Sequence, residues 1–170
     1  MRTRRTVAVT AAVSAFMTMA AGCGLVGGSG SAPKASPSPT APFTKQTVGD
    51  EIAALADAAG LPPGDTSTAG LPEGAWQDCV APWMGDAPAA DAARAFKATV
   101  KALRTQDWEI VSSHAEQDVT FRTLAKRGWK VYARHYAMEG FGTEQIVSLT
   151  AVEDGCELPE AIRGDYEDPA

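Results

Sequence analysis

Apolar residues along this chain fall into two spacings. In TVGDEIAALADAAGLPPG, Val48, Ile52, Leu55 and Ala59 recur every three or four residues, the period that gathers side chains on one face of a helix. Gly60 and the Pro62-Pro63 pair mark its stop. A longer run, APAADAARAFKATVKALRTQ, repeats the spacing through Ala92, Phe96, Val100 and Leu103. Asp86 or a neighbour is expected to cap it, with Pro88 in the first turn, where a missing N–H is tolerated. A helix with a single apolar stripe has to lie on another layer.

The period changes to two at Asp107. Trp108, Ile110, Ser112 and His114 alternate along one strand, Val119, Phe121, Thr123 and Ala125 along a second, Trp129, Val131, Ala133 and His135 along a third, and Val147, Leu149 and Ala151 along a fourth. Turns fall at Lys126-Arg127-Gly128 and Glu139-Gly140-Phe141-Gly142. Residues 119–127 admit a helical reading, because LAKRGWKV resembles LRTQDWEI, which follows a helix. The β-favouring Val119, Thr120, Phe121 and Thr123 argue for a strand. A three-residue hairpin loop then sets Ala125 opposite Trp129 and Thr123 opposite Val131. The expected fold is α+β in two layers. A four-stranded antiparallel meander carries the longer helix on its Trp108, Phe121 and Trp129 face, beside a short N-terminal helix.

The two ends of the chain follow neither period. Residues 1–22 place Arg2, Arg4 and Arg5 before an uncharged stretch from Thr6 to Ala21, the layout of a signal peptide. Ala20-Ala21-Gly22-Cys23 closes it and resembles the lipobox of bacterial lipoproteins, and the Ala-rich composition, leader and following tether together resemble surface lipoproteins of Gram-positive bacteria. The resemblance implies cleavage before Cys23, acylation of Cys23 by palmitate-type chains, and an extracytoplasmic protein held on the cell membrane. Two acyl chains give stable anchoring, at about 0.8 kcal/mol per buried methylene. Arg4-Arg5 before Thr6-Val7 also resembles a twin-arginine export signal, and the export route stays open between that and the general secretory one. In residues 24–45, 12 of 22 positions are Gly, Ser or Pro, so Cys23 and this stretch read as a lipidated tether, 23–45. The folded domain is expected over 46–156. From Glu153 to Asp168 there are seven acidic residues against one Arg, and 157–170 reads as an acidic, disordered tail.

Charge and cysteine content narrow the picture. The 170-residue chain has a formal charge of −6, and from Cys23 onward it carries 12 basic against 21 acidic residues. Such a balance argues against nucleic acid as a partner. With Cys23 acylated, Cys79 and Cys156 remain as a pair in an exported chain, and a disulfide is the expected state.

Candidate chemistry is sparse. His114 and His135 fall on one face of the expected meander but two strand spacings apart, about 10 Å, too far to share a zinc ion. Ser112-Ser113-His114 lacks the GxSxG setting of a serine nucleophile. There is no CxxC and no Gly-rich phosphate loop, so neither a metal nor a cofactor is expected. The other face of the meander is more distinctive. Lys130, Tyr132, Arg134 and Tyr136 share one side of the third strand, and the expected register adds Arg122 and Leu124 from the second and Ile146, Thr150 and Val152 from the fourth. From Arg122 to Arg134 there are five basic side chains and no acidic one, a composition found at recognition surfaces. Arg122, Lys130, Tyr132, Arg134 and Tyr136 therefore form a candidate binding face for a protein or an anionic envelope ligand. The first helix, the tether or the Trp76/Trp83 loop are the segments able to cover it, and the acidic tail is able to neutralise its charge. The reading is a lipid-anchored, non-catalytic interaction module; the alternatives are a structural envelope lipoprotein and a small enzyme whose site forms only on folding.

Overall fold

A computed structural model describes residues 42–69, 71–137 and 142–167. The 1–22 leader, Cys23 and the tether through residue 41 lie outside the described residues, as does most of the 139–142 turn. Among the described residues the fold is α+β, an antiparallel sheet of six strands with three α-helices.

Helix α1, Lys45–Ala58, begins at Thr44, whose side chain accepts from the Thr47 N–H. It ends where Gly60 takes φ +88°, the Gly60 N–H bonds to the Asp57 carbonyl, and the Leu61 N–H reaches back to that of Ala56. This pairing satisfies carbonyls the helix would otherwise leave open. The domain starts earlier than the expected 46: Phe43 packs on the core, and its carbonyl accepts from Trp129 Nε1 at 2.9 Å.

Strands β1, Val80–Ala81, and β2, Met84–Pro88, precede helix α2, Ala89–Thr105. The meander follows as β3, Glu109–Glu116, β4, Val119–Lys126, β5, Trp129–Tyr136, and β6, Glu144–Glu153. The sheet order is β1-β6-β5-β4-β3, with β2 also on β6. The sheet is thus wider than the four-stranded meander expected. Gly85, Asp86 and Pro88 are poor strand formers, yet pairing with β6 holds them extended, and Pro is tolerated at an edge. Asp86 accordingly sits opposite Ile146 instead of capping α2, and Pro88 occupies the cap position without a side-chain bond.

Both longer helices contact the sheet and each other, burying Val48 and Ile52 of α1 and Phe96 and Leu103 of α2 in one core with Trp108, Leu124, Trp129, Val131 and Leu149. At its margin Glu51 accepts from Trp108 Nε1 at 2.9 Å and from Lys126 Nζ at 2.7 Å. Lys126 Nζ also stands 4.8 Å from the Phe43 ring centre.

The β4–β5 turn corrects the expected register. Arg127 and Gly128 have φ of +52° and +82°, a two-residue loop matched to the twist of a hairpin. Lys126, not Ala125, faces Trp129, and Leu124, not Thr123, faces Val131. One residue of shift exchanges the faces of a strand. Phe121 therefore leaves the helix side, while Arg122 and Leu124 join it. A further irregularity between Ile110 and Ser112 places Ile110 opposite Leu124 but His114 opposite Phe121. His114 and His135 consequently lie on opposite faces, not on one. β3 is a free edge of the sheet, with Ile110 and Val111 exposed.

Cys79 and Cys156 are joined by a disulfide, Cα atoms 5.8 Å apart across 77 residues of sequence. The stretch expected to leave as a tail beyond it folds back. Leu158 is buried, α3 spans Glu160–Arg163, and a 3-10 turn follows at Gly164–Tyr166. Leu158, Ile162 and Tyr166 pack with Trp76, Val80, Val152 and Tyr132 in a second apolar cluster, on the sheet face away from α1 and α2.

Candidate functional site

Alternation along β5 puts Lys130, Tyr132, Arg134 and Tyr136 on the outer face, each half-buried. Their partners across β6 are Val152, Thr150, Ser148 and Ile146. From β4 the same face receives Ala125, Thr123, Phe121 and Val119. Arg122, expected here, is displaced to the helix side by the register of the two-residue turn. There its guanidinium Nη1 donates to the carbonyls of His114 at 3.2 Å and Phe121 at 2.6 Å.

The C-terminal segment crosses this face as a strap. Tyr166 stands edge-on to Tyr132, and the Arg134 guanidinium lies 5.3 Å from the Tyr166 ring centre and 5.9 Å from that of Phe121. His114 stacks on the far side of the row, 4.3 Å from Phe121 and within 8° of parallel. Among the described residues its Nδ1 is buried without a hydrogen-bond partner. The order His114, Phe121, Arg134, Tyr166, Tyr132 is one file of planar groups with a cation at its centre.

Beside this file runs a groove of about 340 Å³, its floor including Phe121, Arg134 and Tyr136 and its strap wall including Asp165 and Glu167. Among the described residues, no carboxylate is ion-paired with Arg134. A guanidinium between aromatic rings keeps its in-plane N–H groups for an acceptor while its faces are held. The arrangement suits a ligand with a planar or apolar part and an anionic or strongly accepting group. A second hollow, about 590 Å³, lies at the other end of the strap against Lys130, Tyr132, Leu158 and Arg163.

Sequence reasoning found four of the five face residues and missed His114, Phe121 and the strap. A signal for the strap was present: Leu158, Ile162 and Tyr166 recur every fourth residue inside the acidic stretch. Among the described residues no group of three or more His, Cys, Asp or Glu side chains is placed to hold a metal ion, and no helix is long and apolar enough to cross a membrane. No protein-family model matches the chain, and neither a curated protein nor a solved structure matches it.

Proposed function

We propose that this chain is a lipid-anchored extracytoplasmic binding module, tethered through Cys23, that holds an anionic envelope ligand or the acidic segment of a protein on the outer face of its sheet. The observation that carries the binding role is Arg134, held between Phe121 and Tyr166 without an ion-pair partner among the described residues. A preorganised cation beside aromatic surface is what anion recognition uses. The anchor rests on the basic and apolar leader that ends at Ala20-Ala21-Gly22-Cys23 and on the Gly/Ser/Pro-rich stretch after it.

Photo-crosslinking in cells tests the face, with a probe at Tyr136 and a control probe at the exposed Lys101 of α2. A discrete adduct from Tyr136 that Lys101 does not give is expected. Equal labelling from both positions, or none from either, overturns the reading. Intact mass of the membrane-fraction protein tests the anchor. An acylated chain beginning at Cys23 is expected, and an unmodified one overturns it.

A further inference from the structure

We propose that the cleft between α2 and the β3–β4 turn, on the helix side of the sheet, binds a small monocarboxylate with an apolar body, the carboxylate on Arg122 and the body against Phe96 and Val100. This site lies on the helix side of the sheet, and Arg122, which it uses, also borders the outer groove.

The cleft measures about 350 Å³ and is lined by Phe96, Lys97 and Val100 of α2, Arg122 of β4, His135 of β5 and Asp118 of the turn, among others. That volume is within the usual range for small-molecule sites, roughly 300–1,000 Å³, which are mostly apolar with a few convergent polar groups. Its apolar wall is rigid. His135 is buried, stacks on Phe96 with ring centres 5.8 Å apart, and is fixed by a 2.8 Å hydrogen bond between Nε2 and Gln145 Oε1.

Its polar part is unbalanced. Arg122 is half-buried and anchored through Nη1 to two main-chain carbonyls, and among the described residues no carboxylate forms an ion pair with it. Lys97 adds a second cation at the exposed rim, against the single carboxylate of Asp118. A partly desolvated cation without a counter-ion is costly, and a bound anion supplies the missing charge. Arg122 is the cation anchored at the cleft wall and takes one carboxylate, which Lys97 reinforces from the rim, while Phe96 and Val100 face the apolar body. One aromatic ring or a short acyl chain fits the space.

The probe is benzoate, titrated into the purified full chain and followed by amide proton–nitrogen correlation spectra, with benzyl alcohol as the uncharged control. Saturable shifts centred on Phe96, Val100, Arg122 and His135 are expected, with benzyl alcohol weaker by about tenfold or more, the scale of a charged hydrogen bond. Arg122→Gln lowers benzoate affinity to a similar extent. Lys97→Gln, on the exposed helix face, weakens it severalfold without touching the fold. Ala93→Phe, which fills the cleft, abolishes the shifts there. Three results overturn the proposal: no shifts up to about 10 mM benzoate, shifts centred on Arg134 and Tyr136 instead, or an unchanged titration in both charge variants.

Discussion

Tyr166 meets Tyr132 edge to face, ring centres 5.3 Å apart at 74°, and this contact seats the C-terminal strap on the sheet. Tyr166→Ala removes the aromatic pair and its hold on Arg134, a loss of about 1–2 kcal/mol. Hydrogen exchange is expected to quicken at Ile162 to Tyr166 while β5 keeps its protection, because β5 is bonded on both sides. Faster exchange along β5 as well contradicts a locally seated strap.

The disulfide holds the base of that strap. Its closed loop spans 77 residues, so the paired variant Cys79→Ser with Cys156→Ser should lose about 4 kcal/mol on a chain-entropy basis. Denaturant titration measures it. The same variant should also free the 157–167 segment, which Tyr166→Ala frees only in part.

Glu51 accepts from Trp108 Nε1 and Lys126 Nζ where those groups are largely shielded from water. Glu51→Ala leaves both donors without that acceptor and should cost about 2 kcal/mol in thermal or denaturant unfolding. Glu51→Gln, which keeps one acceptor oxygen, should cost less.

Gly64 packs directly under the Trp83 indole. A methyl group there overlaps the ring and comes within 2.8 Å of the Met84 carbonyl. Gly64→Ala therefore forces Trp83 to move and should destabilise the domain by about 1–3 kcal/mol. Trp83→Leu in the same background, by relieving the overlap, should recover part of the loss.

Asp65 titrates below the usual carboxylate range because its Oδ1 accepts from the Ser67 backbone N–H at 2.8 Å, helped by the Ser67 side chain. A carboxyl whose folded pKa is depressed stabilises the fold above its unfolded pKa and loses that contribution as pH falls through the folded value. The Asp65 carboxyl resonance should accordingly have the lower midpoint when compared with an unbonded Asp. Ser67→Pro, which removes the N–H, should bring it back up.

The sequence made the helices and the meander legible because their periods are long and uninterrupted: Val48 to Ala59 and Ala92 to Leu103 at helical spacing, Trp129 to His135 in alternation. β1 was hidden because it is only two residues long, and β2 because Gly85, Asp86 and Pro88 carry no strand preference and are held by β6. The face of Arg122 was misread because the loop at Arg127 and Gly128 is one residue shorter than expected, and a side-chain period of two turns that single residue into an inversion. Cys79 and Cys156 were readable from compartment and count. The strap was masked by its own charge, since Leu158, Ile162 and Tyr166 are spread among acidic residues that composition weighs more heavily.

Edge strand β3 also governs how copies behave when packed side by side. A second molecule laid antiparallel along it, centred between Ser112 and Ser113, would bring Glu109 of each copy against Glu116 of the other. Two like-charge pairs oppose the ladder at its ends, and the extra residue near Val111 spoils the spacing in its middle. This pairing of two β3 edges, which would expose Ile110 and Val111 to the partner's, is thereby disfavoured.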